Sequence, residues 1–330
     1  MFPFLISLTG CASRRAPFEG FASEQLAVDE SVRLVFIGDT GAEADGEGSH
    51  ITRDALDQLR ENVRAEDADA IFALGDLVYG VGGPLELSPS CRDPNKGKAE
   101  ELLRGRLGEY YADLGAETWL VLGNHDVGHY SYSRDRARCL MAYAEQTDHL
   151  NLPAAKYTID LGDGLGRVVV MDTNVSPKKW DADEVRAAMP DEGWSVMLGH
   201  HVFRTAFDKE DEQQKGEHRY RAWMAAHDIQ PSIWLNGHAH FLQFGIYDDV
   251  PAATSGSGSK IRERPTCPGD AACEGEDMPI FSQSVYGYAV IDLDPQRLTL
   301  TFKNTDGEDL YCWQRTLDDP RGQPCPVATN

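Results

Sequence analysis

Five apolar runs along the chain each stop close to a glycine, and each is followed by side chains with oxygen or nitrogen donor atoms. These side chains are Asp39, then Asp76 and Tyr79, then Asn124, His125 and Asp126, then His200 and His201, and finally His238 and His240. Carboxylates, an amide, imidazoles and a phenol suit hard or borderline cations, and no thiolate occurs among these donors. The pattern therefore predicts a site for two metal ions.

The apolar runs themselves are short and bounded by turn residues, which is typical of buried strands. They span residues 32–37, 70–74, 119–122, 196–198 and 233–235. Ligand sites of open α/β sheets form beyond the carboxyl ends of such strands, so the five groups of donors are expected to lie together. Because donors from Asp39 to His240 must meet at one site, residues 31–330 are expected to form a single domain.

The segments between these strands indicate the rest of the fold. Apolar residues recur at helical spacing in residues 49–64, which predicts a crossover helix between the first two strands. Further helices are expected at 98–114, 182–189 and 210–227, and a hairpin at 157–161 and 167–171. Strands at 288–293 and 298–303 have no helix between them and are expected to pair antiparallel in a second sheet. The expected fold class is α/β, a four-layer αββα sandwich of two mixed β-sheets flanked by helices.

The composition excludes two classes of partner. The net charge of -23 comes from 54 acidic and 31 basic residues, which argues against nucleic-acid binding through a basic face and against adhesion to anionic lipid. No apolar run approaches the roughly 20 residues of a membrane-spanning helix.

The first twelve residues are short, apolar and rich in small side chains. Leu8-Thr9-Gly10 before Cys11 is similar to the cleavage box of a bacterial lipoprotein signal. This predicts a signal segment at 1–10, a tether at 11–30, membrane attachment through lipid on Cys11, and a cell-envelope protein that faces the periplasm or the exterior. A signal should have a Lys or Arg before its apolar core, and this segment has none. A frayed N-terminus with an ordinary buried cysteine is therefore the alternative.

Without Cys11, six cysteines remain, and none lies in a donor group or has the two-residue spacing of a zinc knuckle. An even number fits disulfides in an oxidising compartment, with six buried thiols as the alternative. The preferred pairs are Cys267 with Cys273, Cys312 with Cys325, and Cys91 with Cys139.

The five donor groups, taken in order, resemble those of calcineurin-like metallophosphoesterases. Most relatives place a histidine two residues after the first aspartate, where this chain has Gly41; the purple acid phosphatases instead use a tyrosine three residues after the second aspartate, which is Tyr79 here. Residues 199–203, 255–258 and 286–290 further resemble the single-domain, tartrate-resistant type. That type often has tyrosine at His201, and it lacks the insertion around Cys267.

The resemblance implies two metal ions with one shared ligand. Asp39, Asp76, Tyr79 and His240 would hold Fe(III), and Asp76, Asn124, His200 and His238 would hold a divalent Fe, Zn or Mn. A phenolate and two carboxylates neutralise a trivalent ion, whereas an amide and two neutral imidazoles suit a divalent one.

The implied function is hydrolysis of phosphate monoesters on small phosphorylated substrates by a monomeric acid-phosphatase-like enzyme, with metal-bound hydroxide attacking phosphorus in line. His125 is expected to give a proton to the leaving group or to bind the phosphoryl group. Asp126 would orient His125 or fix a loop, and His201 would line the pocket or only pack. A phosphodiesterase or nucleotidase with the same metals, and a non-catalytic envelope binding protein, are the alternatives.

Overall fold

The protein is described by a computed structural model that covers residues 18–45, 50–79, 97–128, 132–162, 164–204, 214–274 and 278–326. Two mixed eight-stranded sheets pack face to face, and helices lie on their outer sides. This confirms the predicted α/β sandwich. The predicted signal segment 1–10 and Cys11 lie outside the described residues.

The first sheet, called the β2 sheet, joins four parallel strands to four antiparallel ones. In spatial order its strands are β16 (Gln323–Pro324), β15 (Asp309–Arg315), β14 (Leu298–Asn304), β13 (Gly287–Leu293), β2 (Val32–Ile37), β3 (Ala70–Ala73), β4 (Glu117–Leu120) and β5 (Leu150–Asn151). The strands β13 and β14 pair antiparallel, as predicted. They do not form a second sheet, however, because β13 also pairs with β2. Pairing there covers the otherwise open edge of β2, whose backbone groups would have no partner.

The second sheet, called the β8 sheet, carries the remaining strands. In spatial order these are β1 (Ala22–Gln25), β6 (Tyr157–Asp160), β7 (Gly166–Val170), β8 (Trp194–Leu198), β9 (Ile233–Asn236), β11 (Val250–Ser255), β10 (Leu242–Tyr247) and β12 (Phe281–Gln283). The hairpin of β6 and β7 is confirmed. The strand β1 belongs to the segment 11–30 that was predicted as a tether, and it pairs in parallel with β6 at the sheet edge.

The predicted crossover helix is α1 (Arg53–Ala65), between β2 and β3. It begins at Thr52, whose hydroxyl accepts a hydrogen bond from the N–H of Ala55. The other helices are α2 (Gly97–Leu103), a π-helix (Arg104–Gly108), α3 (Glu109–Tyr111), α4 (Asn124–Val127), α5 (Arg134–Ala144), α6 (Ala182–Ala188), α7 (Gln214–Ala226) and 3₁₀ turns at Pro177–Lys179 and Ala271–Cys273. Across the described ranges, none of these helices has the length and apolarity needed to cross a bilayer.

Aromatic side chains from both sheets fill the space between them. The rings of Phe244 on β10 and Trp313 on β15 lie 4.9 Å apart, and those of Phe281 and Phe302 lie 5.2 Å apart. Burial of each such side chain is worth about 1.5–3 kcal/mol. A second apolar layer, which includes Trp234, packs the outer face of the β8 sheet against α6 and α7. Both faces of the β8 sheet are therefore covered, which fits its run of buried parallel strands.

Two of the three preferred disulfides are present. Cys267 pairs with Cys273 at a Cα–Cα distance of 5.8 Å, and Cys312 pairs with Cys325 at 5.3 Å. The second bond holds the C-terminal segment on β15, where the N–H of Cys325 also donates to the carbonyl of Cys312. Of the third predicted pair, Cys139 is disulfide-bonded, and Cys91 lies outside the described residues.

Candidate metal centre

The five predicted strand ends meet at one place, but they come from two different sheets. The strands β2, β3 and β4 bring Asp39, Asp76 and Asn124 from the β2 sheet. The strands β8 and β9 bring the histidines from the β8 sheet. Backbone hydrogen bonds join the two edges, since the N–H of Gly38 donates to Ser255 and the N–H of Gly258 donates back to Gly38. The centre therefore lies where the carboxyl ends of both sheets converge.

One half of the centre is formed around His200. Its Nδ1–H donates to the carbonyl of Leu74 at 2.8 Å, which directs Nε2 inward. This Nε2 lies 3.0 Å from Oδ1 of Asn124, 3.3 Å from Oδ1 of Asp76 and 3.1 Å from Nδ1 of His238. Two oxygen acceptors and a second ring nitrogen thus lie within hydrogen-bond distance of Nε2 of His200.

The other half is formed around the hydroxyl of Tyr79. Its Oη lies 2.8 Å from Oδ1 of Asp39, 3.0 Å from Oδ2 of Asp76 and 3.1 Å from Nε2 of His240. The two oxygens of Asp76 therefore point into different halves, Oδ1 toward His200 and Oδ2 toward Tyr79. This is the geometry of a bridging carboxylate, and Asp76 belongs to both clusters of side chains that could hold an ion.

The chemistry of the donors fits two cations. With the Nδ1–H of a neutral His200 bound to Leu74, its Nε2 is an acceptor that faces the oxygen acceptors of Asn124 and Asp76, and a metal ion between these atoms would satisfy all three. Without a metal, burial lowers the pKa of His200, but Asp76 more than offsets this and raises it to about 9. Burial, followed by the charges of Asp39 and Asp76, raises the pKa of Tyr79. A cation between these groups would relieve both conflicts.

Four of the seven donors occupy left-handed backbone conformations. The φ angles of Asp39, Asp76, His238 and His240 are 58°, 53°, 72° and 55°. Such angles cost a non-glycine residue roughly 1–3 kcal/mol and occur preferentially at functional sites. The sequence pattern predicts the turn after each strand but contains no sign of this conformation.

Family comparison agrees with the donor geometry. The profile described as "Calcineurin-like phosphoesterase" matches residues 32–242, which include all seven donors. The chain belongs to the calcineurin-like phosphoesterase family. Comparison with curated proteins gives no match.

Solved structures share the fold at low sequence identity. A purple acid phosphatase from yellow lupin (Lupinus luteus) seeds has 16% identity and a TM-score of 0.57, and the match covers 91% of this chain and 57% of that chain. The anchor in the inner membrane complex of Plasmodium has 15% identity and a TM-score of 0.59, covering 91% and 90%. A dimetal phosphatase from Danio rerio has 14% identity and a TM-score of 0.50, covering 86% and 98%. These similarities concern the fold alone, and this phosphoesterase spans little more than half of the lupin chain.

In this phosphoesterase Asp126 holds two of the donor loops in place. Its Oδ1 accepts hydrogen bonds from the N–H groups of Leu77 and Val78, at 2.8 and 3.2 Å, and its Oδ2 accepts one from Gly123 at 2.7 Å. The side chain is fully buried, and burial together with the nearby charge of Asp76 raises its pKa to about 7. Asp126 was predicted either to orient His125 or to fix a loop, and these contacts are those of a loop-fixing residue.

His125 lies at the mouth of the centre, directly beside the bridging carboxylate. Its backbone N–H donates to Oδ1 of Asp76 at 2.9 Å, and its ring Nε2 lies 4.0 Å from Oδ2 of the same residue. The ring packs at 4.6 Å from the ring of Tyr79, and the side chain is 23% exposed. A substrate bound at the metals could therefore reach this imidazole.

His201 lies beside the centre and packs its ring against those of His200 and His238. The ring lies 4.7 Å from that of His238, and its Nδ1 is 3.0 Å from the hydroxyl of Thr173. Burial and the neighbouring His200 lower the pKa of His201 to about 3, so the ring is neutral. These contacts describe a packed ring beside a donor, and the role of His201 in the pocket stays a prediction.

Sequence reasoning missed two residues beside the centre. Thr173 follows β7, and its Oγ1 accepts the backbone N–H of both His200 and His201 at 3.0 Å. Its position after a strand, at the same edge of the β8 sheet as the histidines, could have indicated a role beside the centre. Lys260 places Nζ 4.5 Å above the ring of Tyr79. No local pattern indicates this contact, because it depends on how the segment after β11 folds back over β2.

Proposed function

We propose that this phosphoesterase hydrolyses phosphate monoesters in the manner of a purple acid phosphatase, with Fe(III) beside Tyr79 and a divalent Fe, Zn or Mn beside His200. The position of the Tyr79 hydroxyl, within 3.1 Å of Asp39, Asp76 and His240, is the observation that carries the proposal. A phenolate and two carboxylates together offer three negative charges, which match a trivalent ion.

The residues divide the work of an in-line displacement between them. Two bound cations would supply Lewis acidity and an activated nucleophile. Asp76 sets the spacing of the two halves, since its two oxygens reach both. His125, partly exposed next to Asp76, would hold or deliver the proton that the leaving oxygen needs.

Two alternatives keep the same fold. A phosphodiesterase or nucleotidase would use the same donors, because the metal ligands do not distinguish one ester group from two. A non-catalytic binding protein is the other alternative, and the Plasmodium structure with this fold is described as an anchor. The complete set of seven donors favours an enzyme, since the buried carboxylates of Asp39 and Asp76 need a cation and a binding protein has little reason to keep the whole set.

We also propose that the protein is exported and held in the cell envelope by lipid on Cys11. The bonds Cys267–Cys273 and Cys312–Cys325 support this, because disulfides persist in oxidising compartments. Since β1 is part of a sheet, the tether in this proposal would have to end before Ala22.

The activity is tested by comparing a nitrophenyl phosphate monoester with the matching diester from mildly acidic to neutral pH. We expect faster turnover of the monoester than of the diester. We expect Asn124→Ala to lower the rate on the monoester by at least about a hundredfold, because the variant loses a ligand of the divalent ion. A higher rate on the diester would replace our proposal with the first alternative. Activity on neither ester in protein that contains both metals would favour the second.

The ferric assignment is tested by colour. A tyrosinate bound to Fe(III) absorbs visible light, so we expect a purple or pink iron-loaded protein and a colourless Tyr79→Phe variant. Tyr132→Phe is the matched control, since its hydroxyl contacts Asp172 instead of the donors. Visible absorption that survives in Tyr79→Phe would rule out Tyr79 as the iron ligand.

A further inference from the structure

Lys260 lies beside the half of the metal centre that is formed around Tyr79. Its Nζ is 4.5 Å from the centre of the Tyr79 ring, and the hydroxyl of that ring contacts Asp39, Asp76 and His240. The ring of His125 packs on the same tyrosine at 4.6 Å. An ammonium group and the candidate proton donor thus share one aromatic neighbour.

The backbone around Lys260 is tied to the donor loops on both sides. The hydroxyl of the preceding residue, Ser259, donates to the carbonyl of Asp39. The carbonyl of Ser259 accepts a hydrogen bond from the N–H of Ile51 at 2.9 Å. Two residues later, the N–H of Arg262 donates to the carbonyl of His240 at 2.8 Å. The position of Lys260 relative to the centre is therefore set by the same loops that carry the ligands.

Lys260 has no carboxylate partner within the described part of the chain. Acidic residues outnumber basic ones by 54 to 31, and Lys156 and Lys303 pair with Glu184 and Glu66. Among the described residues, by contrast, no carboxylate forms an ion pair with Lys260, whose side chain contacts the Tyr79 ring. A partly exposed ammonium beside a cation site, with an aromatic ring but no carboxylate as its partner, can bind an anion that the cations attract.

We propose that Lys260 binds the phosphoryl group of the substrate at the Tyr79 side of the centre and thereby selects doubly charged monoesters over singly charged diesters. This proposal rests on the proposed function and deepens it by naming a residue that distinguishes substrates by their charge. A phosphate monoester carries about -1.5 to -2 charges near neutral pH, since its second pKa is about 6, whereas a diester carries one. Lysine binds phosphate as a point charge with three donors, so it gains most from the group with more charge and more free oxygens.

The test is the binding of inorganic phosphate and of dimethyl phosphate to metal-loaded protein, measured by titration calorimetry. We expect Lys260→Met to weaken phosphate binding by about tenfold or more, the effect of losing one hydrogen bond from a charged donor. Binding of dimethyl phosphate should weaken by less than about threefold, because its single charge interacts less with the ammonium. Lys260→Arg, which keeps the charge, should retain most of the phosphate affinity.

Arg297→Met is the matched control. It removes one positive charge from the turn between β13 and β14, at the opposite end of the β2 sheet, since Leu293 pairs with Val32 at the start of β2. Equal losses in Lys260→Met and Arg297→Met, or equal losses for both probes in Lys260→Met, would overturn the proposal. Metal content and melting temperature are measured for each variant. If Lys260→Met fails to fold, Lys260→Gln is used in its place for the same comparison.

These results are separable from those on hydrolysis. If the wild type turns over neither ester but its phosphate affinity depends on Lys260, the anion site stands and the proposed activity fails. If the wild type hydrolyses monoesters and Lys260→Met binds phosphate as the wild type does, the activity stands and the role of Lys260 is wrong.

Discussion

Replacing Asp76 with asparagine is expected to remove both metal ions and to lower any hydrolytic rate by about a thousandfold or more, since each bound cation supplies several kcal/mol to the transition state. The reason is that, among the carboxylates in the described part of the chain, Asp76 is the one that reaches both halves, with Oδ1 at 3.3 Å from His200 and Oδ2 at 3.0 Å from Tyr79. Asparagine has one acceptor oxygen, and its amide N–H₂ would point into one half as a donor.

The measurement is elemental analysis of the purified variant together with its rate. Asp39→Asn is the comparison, because Oδ1 of Asp39 contacts Tyr79 and His240, whereas its Oδ2 reaches the other half only through the backbone N–H of His238. Its replacement should therefore reduce binding of the ion beside Tyr79 more than binding of the ion beside His200. A variant Asp76→Asn that keeps both ions at full occupancy would show that the two halves do not share this ligand.

Replacing Asp126 with alanine is expected to destabilise the fold by about 3 kcal/mol or more, because it leaves three buried N–H groups unpaired and each costs ~1–3 kcal/mol. The groups belong to Leu77, Val78 and Gly123, which flank Asp76 and Asn124. We therefore expect lower metal affinity in addition to lower stability, measured by denaturant unfolding with and without metal.

Asp135→Ala is the matched control for this prediction. Asp135 is an exposed carboxylate on α5 that pairs with Arg138 at 3.0 Å, and loss of such a surface pair changes stability by about 0–1 kcal/mol. If Asp126→Ala were as stable as Asp135→Ala but lost activity on a metal-loaded enzyme, Asp126 would act on His125 rather than on the loops.

The sequence alone determined which residues could bind metal and where in the fold they occur. Each donor follows a short apolar run and a turn, a local pattern that depends on strand burial and chain reversal within about ten residues. Tyr79 with Gly41 indicated the phenolate only through the resemblance to purple acid phosphatases, whose tyrosine also lies three residues after the second aspartate. The hairpin of β6 and β7 and the Cys267–Cys273 bond were likewise predictable, since few residues separate their partners.

Only the tertiary structure decided how these local pieces meet. The donors come from two sheets, and the strands expected in a second sheet extend the β2 sheet instead. Leu74 fixes the ring of His200 from 126 residues away, and the hydroxyl of Ser255 donates to Phe36 across 219 residues. The contacts of Asp126, Thr173 and Lys260, and the left-handed angles of four candidate ligands, follow from the same packing. Such contacts depend on how two buried faces fit together, and that fit is a property of the whole chain that local spacing does not contain.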